Sequence, residues 1–182
     1  MIRTVLLTPN PYSRPGLKLR RVDCIVLHWV ENEGTSAEFN RRYFESLAAG
    51  LRDKNGKILK ASAHYLIDSR EIIQDIPDDE VAHGVGASVT DWAKGKWGEE
   101  FANYFCIHIE HCHPTESGNW EPGTLHRSHV LSAGLCLAYE LNPLRDIIRH
   151  YDITRKDCPR WLVHDREAFA RYRDVVAGIM EA

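Results

Sequence analysis

No apolar run in the chain is long enough to cross a membrane. The N-terminal stretch MIRTVLLTPNPYSRPG reaches proline before it builds the apolar core of an export signal, so the chain is expected to be made in a cytoplasm and to leave it by another route. There is no excess of positive charge: Lys and Arg number 23 against 26 Asp and Glu, for a formal net charge of −3. That balance argues against a nucleic-acid partner, since such domains are usually basic. There is no internal repeat and no low-complexity stretch, which excludes a solenoid and long linkers. Cysteines number five, an odd count that does not suit a disulfide framework. Cys24, Cys106 and Cys136 sit inside apolar runs and read as small buried hydrophobes.

What remains is an ordinary globular composition, 43% hydrophobic and 27% charged over 182 residues. One domain of that length buries enough surface to be stable without a staple. Residues 22–27, VDCIVL, form a nearly continuous apolar, β-branched run and predict a buried strand ending at His28. Residues 35–49 open with hydroxyl caps, repeat apolar side chains at helical spacing and stop at Gly50, which predicts a helix. Residues 62–67 and 71–76 predict a hairpin around DSRE. Residues 81–97, rich in Gly, Trp and His, show no period and predict a long loop, of the kind that usually serves function. Residues 105–112, FCIHIEHC, predict a strand. Helices are expected over 126–141, ended by Asn142-Pro143, and over 165–180, with a short strand at 146–149 between them. Strands alternating with helices, plus one hairpin, predict an α/β domain with a mixed central sheet flanked by helices.

The segment RHYDITRKDCPR sets His150 and Cys158 eight positions apart in a polar stretch with little core character. Basic neighbours Arg155, Lys156 and Arg160 favour the thiolate of Cys158, the form that binds metal or attacks carbon. His28, His150 and Cys158 end predicted strands or sit just past them. Three protein ligands with one open corner are what a catalytic zinc requires. Most histidines are surface or hydrogen-bonded residues, and this chain has ten. Spacing alone therefore leaves the trio as one reading among others, beside a cysteine hydrolase with Cys158 as nucleophile and His150 as base. Alternation along CIHIEHC puts Cys106, His108, Glu110 and Cys112 on one face and Phe105, Ile107 and Ile109 on the other, apolar one. A separate metal site built from Cys106, His108, Cys112 and His113 is disfavoured, because strand neighbours two apart point in parallel and fit a single tetrahedral ion poorly.

NPYSRPG, IVLHWV, SAHYLID, VAHGVG, CIHIEHC and RHYDITRKDCP occur in that order. Together they resemble the zinc-dependent N-acetylmuramoyl-L-alanine amidases of the peptidoglycan-recognition-protein fold, most of all the catalytic domains of bacteriophage endolysins. The resemblance runs from about Thr8 to Ala182, and HYDITRKDCP is its most specific piece. It implies one Zn2+ held by His28, His150 and Cys158, with Glu110 and Lys156 as catalytic residues. It implies hydrolysis of the amide between N-acetylmuramic acid and the L-alanine of the stem peptide, by a single catalytic domain over residues 1–182 that belongs to a longer endolysin or stands alone. It also implies a monomer acting on bacterial peptidoglycan at the cell wall, with no nucleic acid and no stable membrane association. A non-catalytic peptidoglycan-binding module of the same fold is the alternative, which loss of the cysteine ligand would mark.

Two departures stand out. The position of His108 is commonly glycine in similar sequences, so a histidine there is expected to narrow the cleft or touch substrate. Some relatives place a tyrosine one position before the equivalent of His64; here it is Ala63, which leaves the proton chemistry to Glu110. His64 and His83 are expected to line the groove, Trp92 and Trp97 to offer a flat apolar platform, and Arg155 to meet a stem carboxylate. His126, His129 and His164 are expected to be structural or exposed.

Overall fold

In a computed structural model, all residues from Met1 to Ala182 are described. The strands are β1 (Ile2–Thr4), β2 (Cys24–Trp29), β3 (Tyr65–Ile67), β4 (Ile72–Gln74), β5 (Cys106–His111) and β6 (Ile147–Arg149). The helices are α1 (Ala37–Ser46), α2 (Asp91–Trp97), α3 (Pro122–Ala138), α4 (Pro143–Asp146), α5 (His150–Thr154), α6 (Arg160–His164) and α7 (Arg166–Met180). The strands form one sheet in the order β1-β4-β3-β5-β2-β6, parallel throughout except for the predicted β3–β4 hairpin. This is the mixed α/β sheet anticipated above.

Strand β2, paired with β5 on one side and β6 on the other, is buried at all six positions, the pattern expected of a parallel strand covered on both faces. One face of the sheet, carrying Ile25, Leu27, Ile107, Ile109 and Ile147, packs against α3 and α7 through Leu131, Leu135, Phe169 and Val176. Each such side chain contributes about 1.5–3 kcal/mol by leaving water. The opposite face carries two smaller cores. Leu7, Leu47, Leu66 and Ile73 gather beside α1; Cys24, Val26, Trp97, Phe105 and Ile148 gather beside α2. Between them lie His28 of β2 and His108 and Glu110 of β5. All five cysteines are buried and free.

Local chemistry accounts for most boundaries. Ser36 caps α1 by accepting from the Phe39 N–H at 3.2 Å, and Gly50 ends the following turn at φ 73°. Asp165 caps α7 by accepting from the Ala168 N–H at 2.8 Å. Two expectations need correction, and one strand was not anticipated. Within residues 81–97, predicted as loop, Asp91–Trp97 is helical: Thr90 caps it at 3.1 Å, and Trp97 is buried against Phe105 with its indole N–H on Asp23 at 3.0 Å. Two turns interrupted by Gly95 show no period, so tertiary anchors make this helix. Phe105 does not share the face of Ile107; it precedes β5 and packs with Trp97 and Cys24. The strand expected at 146–149 is β6, and His150 just past it starts α5. The exposed strand β1 was not anticipated at all; its order comes from pairing with β4.

Asp75, just past β4, is fully buried and neither carboxylate oxygen has a partner. Burial lifts its pKa from 3.8 to about 8, with nearby Arg41 pulling it down and Glu38 pushing it further up. Because the folded pKa is raised, stability is greatest below the unfolded value and declines as pH climbs towards 8. Asp75→Asn is therefore expected to stabilise the fold by about 1–3 kcal/mol at pH 8, with the gain vanishing near pH 4. Urea unfolding at the two pH values reads this; equal gains at both would reject it.

Candidate metal centre and cleft

The site lies at the carboxyl ends of the parallel strands, where open α/β sheets place their ligands. His28 on β2 stands in register with Glu110 on neighbouring β5. His150 follows directly on β6, and the Arg149 N–H and guanidinium both bind Asp152, fixing the strand-to-helix join at 2.8 and 2.7 Å. Arg155 ends α5 in a left-handed conformation, φ 64°, and turns the chain back. The Tyr151 N–H then donates to the Cys158 carbonyl at 3.0 Å, which closes the loop and brings Cys158 to His150.

His28, His150 and Cys158 present their ligand atoms within 4.8 Å of one another. His28 Nδ1 lies 3.1 Å from His150 Nδ1 and 3.8 Å from Cys158 Sγ. A zinc tetrahedron with Zn–N about 2.05 Å and Zn–S about 2.3 Å has edges of about 3.3 and 3.6 Å, close to the two separations that His28 makes. Glu110 Oε1 is 3.9 Å from His28 Nδ1. Its second oxygen is buried without a partner.

Burial sets the protonation of the group. It holds His28 well below its ordinary pKa, helped by His150 and His108, and brings His150 down to about 4, helped by Lys156. Both rings are thus neutral, the form that binds metal. Burial raises Glu110 to about 8 against the pull of Lys156. It also pushes the Cys158 thiol well up, with Glu110 adding to it and Lys156 failing to reverse it. The thiolate expected from basic neighbours is therefore not supplied by them. Arg155 points to another pocket, Arg160 stacks on Trp29 at 4.7 Å, and Lys156 Nζ is held by Glu31 at 2.9 Å. Burial pulls the Lys156 pKa down, but Glu31, Cys158 and Glu110 together outweigh it and the net shift is upward.

His28, His150 and Cys158 open onto a cleft of about 810 Å³. Glu110, Lys156 and His83 line it with them, and Leu17, Phe101 and Tyr104 give it an apolar wall. His83 is pinned by its N–H to Ser62 Oγ at 2.8 Å. Other expected groove residues lie elsewhere. His64 is buried behind the cleft, its Nδ1 accepting from the His108 N–H at 3.0 Å. His108 is also fully buried, its Nδ1 3.0 Å from His28 Nε2, so it touches a ligand and not the cleft. The alternation of β5 gave its face but not its depth. Trp97 is core, while Trp92 and Arg155 line the other pocket. His126 and His164 are exposed and His129 packs at a tilt against Tyr172, as anticipated.

Three contributors were not foreseen. Glu31 holds Lys156. Gly84 makes room for His108: a Cβ there would sit 2.4 Å from its ring. On the far face of the sheet, His111 bonds the His28 carbonyl at 2.7 Å and Ser128 at 2.6 Å, and Ser128 bonds Tyr172 of α7 at 2.6 Å.

These features converge on one family. The chain belongs to the N-acetylmuramoyl-L-alanine amidases, whose match covers residues 18–161. It is 35% identical over 177 residues to the N-acetylmuramoyl-L-alanine amidase BlyA of Bacillus subtilis strain 168, covering 94% of this chain and 45% of that one. It is 36% identical over 174 residues to a probable N-acetylmuramoyl-L-alanine amidase of Bacillus licheniformis, covering 94% and 46%. The chain thus spans about half the length of these curated relatives. Its fold is also that of a mutant endolysin from Bacillus subtilis (TM-score 0.72, 22% identity, 95% and 98% coverage). The catalytic domain of PlyG is similar too (TM-score 0.74, 20% identity, 100% and 96% coverage). No helix is long and apolar enough to cross a membrane.

Proposed function

We propose that this chain is a zinc amidase that cleaves the bond between N-acetylmuramic acid and L-alanine in bacterial peptidoglycan, and so lyses the cell wall. The observation that carries this is the convergence of His28 Nδ1, His150 Nδ1 and Cys158 Sγ beside Glu110 on one open cleft. Two neutral imidazoles and a thiolate would hold Zn2+ with formal charge +1. When bound, zinc supplies a Lewis acid for the scissile carbonyl and acidifies a water. Glu110 takes the proton of the attacking water as the oxygen joins the carbonyl carbon. It returns that proton to the alanine nitrogen as the C–N bond breaks, leaving a muramoyl carboxylate and a free amine. Lys156, at the cleft mouth, faces the negative charge that develops on the carbonyl oxygen.

His108 acts here as a positioning residue. With Nδ1 committed to the metal, His28 Nε2 carries the proton and donates to His108 Nδ1, which fixes the tautomer and the tilt of the ring. His108→Ala is expected to weaken zinc binding by about 10–100-fold in chelator competition, whereas His108→Asn, which keeps an acceptor, retains most of it. Gly84→Ala should mimic His108→Ala, and the double variant should be no worse than His108→Ala alone. Unchanged zinc affinity in His108→Ala would remove this role.

The cysteine-hydrolase reading is disfavoured by a buried thiol whose pKa is raised. The deciding experiment is digestion of purified peptidoglycan, with mass analysis of products and metal analysis of the enzyme. New L-alanine amino termini without new reducing sugar ends, lost on chelation, are expected. Activity in metal-free protein would overturn the proposal.

A further inference from the structure

A second pocket, about 470 Å³, lies along the open edge of β6 and shares no lining residue with the cleft. Arg145, Arg149, Arg155, Arg166 and Arg173 line it, with Asp152 as its one acid. Two of the five are neutralised. Arg149 grips Asp152 with contacts of 2.7 and 3.1 Å, and Arg145 grips Asp146 with two of 2.8 Å. Arg155, Arg166 and Arg173 form no ion pair. Arg173 stacks on Phe169 at 4.4 Å and gives one N–H to the Leu144 carbonyl at 2.8 Å, but its Nε is buried with no partner.

Charged residues commonly guard an edge strand against pairing with other chains. That role asks for exposed charge. It does not ask for three uncompensated guanidiniums around one concavity, or for a buried donor without an acceptor. Such crowding, in a chain of net charge −3, is relieved by an anion. A phosphate offers oxygens in several directions and can accept from several guanidinium forks at once, whereas the two coplanar oxygens of a carboxylate serve fewer. Trp92, exposed at the rim, adds a flat apolar surface for the carbon units between phosphates. With one exposed indole at the pocket and an acidic chain overall, stacked nucleic acid is the poorer match.

We propose that this arginine pocket binds a polyol-phosphate polymer. The site stands apart from the amidase chemistry and needs no metal. Calorimetric titration of the full chain with inorganic phosphate and with poly(glycerol phosphate) tests it, alongside a single-stranded oligonucleotide of equal charge. Weak binding of phosphate and at least about tenfold tighter binding of the polymer are expected, falling steeply with salt. Arg166→Ala, at the exposed start of α7, and Arg166→Ala/Arg173→Gln should weaken the polymer by about 3-fold and about 10-fold or more. Release of L-alanine termini from a small soluble muropeptide should be unaffected. No polymer binding, or equal binding by Arg166→Ala and the parent chain, would overturn the proposal. An oligonucleotide that binds as tightly as the polymer would overturn its assignment to polyol phosphate.

Discussion

Cys158→Ser is expected to abolish both stoichiometric zinc and detectable wall lysis, with activity down by about 10³-fold or more. The argument is electrostatic. Of the three proposed ligands Cys158 alone would bring a formal negative charge, and burial pushes its thiol pKa well up, so a cation would have to draw the proton off. A serine hydroxyl in the same buried place is far harder to ionise, so the ion would meet two neutral rings and a weak neutral donor. The fold should survive, because none of the three proposed ligands belongs to an apolar core. Metal analysis, circular dichroism and a turbidity assay on cell walls separate these effects. Full zinc content in the folded variant would show that Cys158 is not a ligand.

Glu110→Gln should do the reverse: keep the zinc and lose the reaction. The amide is nearly isosteric and preserves the packing against β2, but it cannot accept a proton from water or return one to nitrogen. General acid–base catalysis contributes about 10²–10⁴-fold, and kcat should fall by that amount. Because Glu110 stands 3.9 Å from His28 Nδ1 and is not itself among the three proposed ligands, zinc affinity should change little. Steady-state kinetics on a soluble muropeptide, with zinc measured in the same sample, reads both quantities. A variant with parental kcat would reassign the proton transfer to another group.

Much of this site was legible in the chain because its parts are short and local. A strand that ends in histidine, an alternating strand that carries one acid, and a histidine and cysteine separated by seven residues each announce themselves without distant information. What stayed hidden depends on contacts between remote segments. The helix at Asp91–Trp97 is held by Thr90, Asp23 and Phe105, not by its own periodicity. Alternation assigned His108 to the correct face of β5, yet only the closeness of Gly84 and His28 puts it under the cleft floor. The charges around Cys158 are adjacent along the chain but diverge in space, so reading them as one environment overstated their pull on the thiol.

His28 and Glu110 face each other across a ladder of parallel hydrogen bonds. The separation between His28 and the acid is therefore inherited from the pitch of the sheet, which no rim residue can alter. Segments such as residues 53–60 and 83–86, which border the cleft without belonging to that ladder, are free to diverge. Grafting them between relatives should redirect which walls are attacked while leaving the reacting atoms in step.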